Sequence, residues 1–254
     1  MRLGGKLVNL CIIGNSHVAA LKKAWAVIRA EYPSIKVTFF AQRGNDLNNL
    51  VAINGKLQSP NEAGTKELEF VSGGRRRIDP DKYDVFLIYG CYARAYFRYS
   101  ELFYSRAVQE RAAHDLVDGS LSFKLLTSLR TITNKPVLVG HNPLEVAKSN
   151  ELAYGPDAYV AGIKMLNDLI YRPLGAEMLM QPLETIVNGR ATRPEFSQGS
   201  RRLAIGDQFD DDIYPDTGND HMNEEFGKMW LIELFKQLPL KGGTHFVKRR
   251  AATK

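Results

Sequence analysis

The chain of 254 residues reads as one three-layer α/β domain with a mainly parallel sheet of about five strands. Three observations lead there. Short, nearly continuous apolar runs rich in β-branched residues recur along the chain, as strands buried on both faces require. Stretches with apolar residues at helical spacing separate these runs. A hydrophobic content of 44% beside 24% charged residues is enough to bury a sizeable core, which excludes a chain disordered throughout.

The first expected strand is 7–13 (LVNLCII), apolar except for Asn9. After a turn at Gly14-Asn15, residues Val18, Leu21, Ala24, Trp25 and Ile28 draw a helical stripe across 17–30. Residues 35–41 (IKVTFFA) form the second strand, and Gly44 breaks it. From 45 to 79 the signal thins to a short helical piece, a polar loop over 59–64, and a hairpin over 68–78 closed by Ser72-Gly73-Gly74. The third and fourth strands are 84–89 (DVFLIY) and 136–140 (PVLVG), with helical patterns over 100–116 and 121–131 between them. A helix over 159–171 precedes a fifth strand at 177–180. The amphipathic helix 224–237 closes the pattern with Phe226, Met229, Trp230, Ile232, Leu234 and Phe235. Without repeats, low-complexity tracts or a convincing linker, residues 1–240 are expected to be one domain and 241–254 a flexible basic tail.

Charge narrows the function classes. The net charge is +6, yet Lys236, Lys241, Lys248, Arg249, Arg250 and Lys254 supply six positives after the last Asp or Glu, leaving residues 1–235 neutral at 28 against 28. A neutral body lacks the distributed basic face of a nucleic-acid domain. No apolar run approaches the ~18 residues of a spanning helix. The first apolar run is short and lacks a cleavage site, and the two cysteines, Cys11 and Cys91, lie inside apolar runs. The expectation is a cytoplasmic protein without nucleic-acid partner or membrane span.

In parallel sheets of this kind ligands bind at the carboxyl ends of the strands. Four loops lie there: 14–17, 43–45, 90–94 and 141–145. Gly14-Asn15-Ser16-His17 places a hydroxyl at a strand-to-helix turn, where backbone N–H groups stabilise negative charge. Ser16 there is either a nucleophile or a helix N-cap. Near the other end, Asp216-Thr217-Gly218-Asn219-Asp220-His221 sets an imidazole flanked by carboxylates just before the last helix. A serine nucleophile needs such a base, and the base needs an orienting partner on its second nitrogen.

These blocks resemble those of the SGNH (GDSL-like) serine hydrolases and their acyltransferase relatives. Gly14-Asn15-Ser16-His17 is similar to the first block, Gly44 to the second-block glycine, Gly90 to the third-block glycine and His221 to the histidine of the last. The resemblance covers nearly the whole chain and implies a flavodoxin-like sheet order. It implies Ser16 as nucleophile and His221 as base, with the oxyanion hole drawn from Ser16, Gly44 and Gly90. Two positions depart from the pattern. Tyr92 stands where the family has its oxyanion asparagine, leaving its phenol or Asn142 as substitute donors, and Gly218 stands where the orienting aspartate usually lies. Asp220, Asp216 and a backbone carbonyl all remain open as the partner of His221.

His17, Arg43, Asn45, Tyr92 and Arg94 are expected substrate contacts from the same loops. For His17 the alternative is an exposed helix start, and for Cys91 a buried thiol. Residues 89–106 interleave tyrosines and phenylalanines with Arg94, Arg98 and Arg106, either as a carbohydrate- or phosphate-binding wall or as a helix with an aromatic stripe. Arg75-Arg76-Arg77 reads as a solvated turn, and Asp207, Asp210, Asp211 and Asp212 as a flexible acidic loop rather than a metal site. Three functions follow. The first is an esterase cleaving an acyl or acetyl ester, with no metal or cofactor required. The second is O-acyl transfer to a glycan, with acetyl-coenzyme A or another acyl donor. The third is a sugar- or nucleotide-binding module without catalysis.

Overall fold

The computed structural model describes residues 7–99, 104–148, 155, 157–215 and 220–238. The central sheet contains β1 (Val8–Gly14), β2 (Ile35–Ala41), β6 (Val85–Tyr89), β7 (Val137–Gly140) and β8 (Ala176–Leu179), in the order β2-β1-β6-β7-β8. All four pairings are parallel. Counted along the chain that is order 2-1-3-4-5, the flavodoxin-like arrangement. These strands fall where the apolar runs predicted them, because a strand covered on both faces leaves little room for polar residues.

Side-chain alternation splits the core into two halves, one on each face of the sheet. Cys11 and Ile13 of β1 join Phe86, Ile88, Val137 and Val139 on one face, with Leu125 and Leu126 of α4 (Leu121–Arg130) and Ile163 and Leu166 of α5 (Asp157–Leu166). Leu10 and Ile12 join Leu87 and Leu138 on the other, under α1 (Val18–Ile28) and α6 (Glu224–Lys236). On that face the two helices meet at backbone range: a Cβ on Gly227 would lie 2.2 Å from the Ala20 carbonyl oxygen. The three layers expected are therefore present.

Between β2 and β6 the structure departs from the expectation. A hairpin forms over β3 (Val51–Ile53) and β4 (Lys56–Gln58), turning through Asn54-Gly55 with φ of 50° and 73°, and β5 (Arg77–Ile78) joins β4. Residues 62–72 are helical, α2 (Glu62–Ser72), instead of entering the expected 68–78 hairpin. Gly73 closes that helix in a left-handed conformation, with its own N–H and that of Gly74 capping the Phe70 and Glu69 carbonyls. The glycines read as a hairpin turn are thus a helix stop, and the Asn-Gly pair is the real hairpin signal. α3 (Arg106–Val117) follows β6, and β9 (Ile186–Val187) and β10 (Ala191–Thr192) form a small ribbon after β8. No helix among the described residues is long and apolar enough to cross a membrane.

Candidate active site

The sheet register lines up the strand ends. Gly14 pairs with Ala41 on one side and Tyr89 on the other, and Tyr89 pairs in turn with Gly140. The four loops that follow therefore start side by side, and the first and third flank the point where the chain's winding reverses, between β1 and β6. Gly14 is obligatory in this turn: a Cβ there would sit 2.1 Å from Val18 Cγ2 and 2.5 Å from the Tyr89 carbonyl oxygen.

Ser16 stands between β1 and α1, and its hydroxyl makes no cap bond, since α1 begins at Val18 without a side-chain cap. Its Oγ lies 2.9 Å from His221 Nε2 across 205 positions of sequence. His221 Nδ1 lies 3.0 Å from Asp220 Oδ1. Adjacent side chains in an extended loop point apart, but Asp220 folds back on its neighbour, because Nδ1 is the ring nitrogen nearest the backbone and within reach of the preceding side chain. Asp216, the other carboxylate considered, lies outside the described residues. The His221 bond holds Asp220 at about pKa 2, with desolvation opposing it. Asp220 is 67% exposed, so the pair is screened by water and contributes orientation more than stability.

Stacking fixes the plane of the His221 ring. Tyr214 covers one face, with ring centroids 4.1 Å apart and planes 12° from parallel. His17 covers the other at 4.7 Å and 23°. The Arg202 guanidinium sits 5.2 Å from the Tyr214 ring, completing a four-layer stack. Tyr214 Oη also approaches His221 Nε2 at 3.3 Å, but a ring stacked this nearly parallel meets the nitrogen from its π-face, not along the in-plane direction a hydrogen bond needs. The in-plane partner of Nε2 is Ser16. Tyr214 escaped sequence reading because stacking leaves no spacing signature.

His17 is 6% exposed, so it is neither a substrate contact nor an exposed helix start, but a packing partner of the His221 ring. Its N–H donates to Asn15 Oδ1 and its Nε2 stands 4.0 Å from Asp220 Oδ2. Burial, and then the neighbouring His221, lower its pKa to about 4, while Asp220 opposes the shift.

The loop after β6 is strained. Gly90, Cys91 and Tyr92 all have positive φ, at 72°, 54° and 59°, which costs on the order of 1–2 kcal/mol for each non-glycine residue. Hydrogen bonds over-determine it: Ala93 N–H to the Gly90 carbonyl, Ser122 N–H to the Cys91 carbonyl, and Tyr92 N–H to Asn142 Oδ1 at 3.1 Å. A side chain at position 90 would meet Asn15 Oδ1 at 2.5 Å, so this glycine keeps room for the 14–17 loop. Gly90 N–H, however, donates to the Gly140 carbonyl, extending the sheet. That corrects its expected place in the oxyanion hole, because a donor committed to the sheet cannot serve an oxyanion. Among the described residues the N–H groups of Ser16 and Gly44 have no hydrogen-bond partner. Asn142 spends its amide oxygen on Tyr92, which leaves its NH₂ as the donor end. Cys91 is buried, its thiol is pushed up to about 12, and the Asn15 N–H faces its sulfur, so it supports the loop from below.

Arg43 also differs from expectation. Its Nε and Nη2 donate to the Leu203 carbonyl, and its guanidinium pairs with Asp207 and Asp210. All three nitrogens are committed, so it clamps the 203–210 loop instead of meeting substrate. With Asp211 paired to Lys23, three of the four loop aspartates are tied down, and no metal-binding group of three or more His, Cys, Asp or Glu occurs among the described residues. Asn45 and Arg94 are exposed and Tyr92 is 40% exposed on the same edge. The aromatic segment is neither helix nor open wall. Residues 93–99 run without regular structure across α5, where Arg98 N–H meets the Ala158 carbonyl and Tyr96 and Phe97 pack on the core. Phe103 lies outside the described residues. His141 is buried between the Tyr159 hydroxyl and the Asn142 carbonyl, as a satisfied core histidine.

No family model and no curated protein matches the chain. Among solved structures it is similar to the periplasmic domain of a lipopolysaccharide acetyltransferase from Salmonella ser. Paratyphi A, at 10% identity and a TM-score of 0.42, over 92% of this chain and 84% of that one. A flavoprotein with FMN from Lactobacillus acidophilus NCFM has 13% identity and a TM-score of 0.23, over 68% of this chain and 90% of that chain. At scores this low neither likeness bears on activity, and the functional reading rests on the site geometry.

Proposed function

We propose that this chain handles acyl groups through a serine nucleophile, as an SGNH-type esterase. The observation that carries the reading is the linear relay from Ser16 Oγ through the His221 ring to Asp220, at 2.9 and 3.0 Å. In the proposed reaction Ser16 attacks the ester carbonyl while His221 Nε2 takes its proton. Asp220 holds the Nδ1–H tautomer and the charge that develops on the ring. The negative charge on the carbonyl oxygen falls to the N–H groups of Ser16 and Gly44, each worth about 10²–10³ in turnover, with the Asn142 amide as a third donor. The alcohol leaves with the proton from His221, and water or another hydroxyl then attacks the acyl-serine by the reverse path.

Transfer to a glycan hydroxyl, from acetyl-coenzyme A or another acyl donor, would use the same residues. The exposed Tyr92 and Arg94, in the loop after β6 on the same sheet edge as Ser16, favour it, since they offer an acceptor a ring face and a cation. The intact relay speaks against a binding module that has lost catalysis. Labelling with a fluorophosphonate tests the nucleophile: wild type should be modified at Ser16, while Ser16→Ala and His221→Ala should not react. A folded wild type that stays unlabelled refutes the reading. Incubation with acetyl-coenzyme A and glycans, against water alone, separates transfer from hydrolysis by where the acetyl group ends up.

A further inference from the structure

A second concavity lies at the far end of the sheet. β6 runs parallel to β1, so the residues just before β6 are at the opposite end from Ser16, which follows β1. There β4, β5 and the 79–83 turn border an open cavity of about 540 Å³, within the size range of small-ligand sites. Its wall carries Lys56, Arg75, Arg76, Arg77 and Lys82 against a single carboxylate, Asp79. In a body with 28 positive and 28 negative residues, this gathering is local and does not follow from composition.

The ion pairs leave a surplus. Lys56 takes Asp79 at 2.9 Å, and Arg76 turns to Glu62 and Glu69, neither of which lines the cavity. Arg75, Arg77 and Lys82 have no ion-pair partner among the described residues. Arg75 and Arg77 are exposed, as in the solvated turn expected at 75–77, and so is Lys82. Arg75 is held in place through its backbone, whose N–H and carbonyl both bond the Ser72 hydroxyl. Three like charges gathered without a counter-ion repel one another, and an anion among them would offset that repulsion.

We propose that this cavity binds a small ligand bearing two linked phosphoryl groups, held by Arg75, Arg77 and Lys82 and independent of the Ser16 site. Guanidinium forks match phosphoryl oxygens two at a time, which favours phosphate over an isolated carboxylate. Three surplus charges suit a diphosphate, and Gln58, Ser59 and Thr65 on the wall supply further polar groups. A nucleic-acid strand fits poorly, because the cations form one compact cluster and not a stripe, and the lining ring, Tyr83, is buried.

Calorimetric titration of the full chain with inorganic diphosphate tests this. Wild type and Ser16→Ala should bind one equivalent with equal affinity. Arg75→Gln combined with Arg77→Gln should weaken binding by roughly tenfold or more, with thermal midpoint and fluorophosphonate labelling unchanged. Lys82→Gln, at an exposed turn, is a second variant that should weaken binding if the double substitution unfolds. Absence of saturable binding to folded wild type overturns the proposal, as does equal affinity in the folded variants. Loss of binding in Ser16→Ala would move the anion to the other site and overturn it too, whereas failed labelling with intact diphosphate binding would refute only the esterase reading.

Discussion

Lowering the pH from about 7 to about 5.5 should destabilise the fold by about 2.5 kcal/mol through two buried imidazoles. His17 and His141 both have pKa values lowered from 6.5 to about 4, chiefly by burial. In the unfolded chain each regains its ordinary value, so between about 6.5 and 4 the unfolded state holds more protons than the native one. Stability therefore rises with pH across that window and is lost as pH falls through it. For each histidine the loss between about pH 7 and about 5.5 works out at about 1.2 kcal/mol. Glu67, raised by burial, acts in the opposite sense, which is why the measurement stops above the carboxylate range. Urea unfolding followed by Trp fluorescence reads the change, since Trp230 is buried against Tyr89. His141→Gln lowers stability at every pH by breaking the Tyr159 bond, but its pH-dependent loss should be half that of wild type. A wild type equally stable at both pH values, or a His141→Gln variant with the full pH-dependent loss, would refute the assignment of buried neutral histidines.

Gly90→Ala should destabilise the chain by roughly 2–4 kcal/mol, because its Cβ meets Asn15 Oδ1 at 2.5 Å in a left-handed backbone; thermal denaturation checks it. Tyr214→Phe should keep turnover of an activated ester within about twofold, because the phenol contributes its face and not its hydroxyl. Tyr214→Leu should lower that turnover by roughly threefold to tenfold as the His221 ring loses its stacking partner. Arg43→Met leaves the Leu203 carbonyl without its donor and removes the cation from Asp207 and Asp210, costs about 1–3 kcal/mol, and should make the 200–215 segment the first point of limited proteolysis.

The sheet was legible because its strands are covered on both faces and so are written as unbroken apolar runs; 35–41 and β2 coincide. The region between β2 and β6 was not, because a glycine stops a helix and turns a hairpin with the same positive φ, and only the preceding turn of chain distinguishes Gly73 from Gly55. The meeting of Ser16 with His221 was readable because both stand in loops at strand and helix ends and their side chains are of complementary chemical types. The fates of Arg43 and His17 were not. Both sit in the expected loops, but whether a guanidinium meets substrate or a loop carbonyl at position 203 depends on packing across 160 positions of sequence. Gly90 shows the same limit, since sequence identifies a glycine but not the acceptor its N–H will find.

The close approach of Gly227 to Ala20 has a consequence for synthesis. Ser16 and Gly44 belong to the first fifth of the chain, while the His221 imidazole is brought to Ser16 by the helix that docks through Gly227. A nascent chain lacking α6 therefore carries a serine without its base. The Ser16–His221 pair closes only when nearly all of the described chain has been made, so under the proposed esterase reading partly synthesised molecules are kept from acylating themselves or their neighbours.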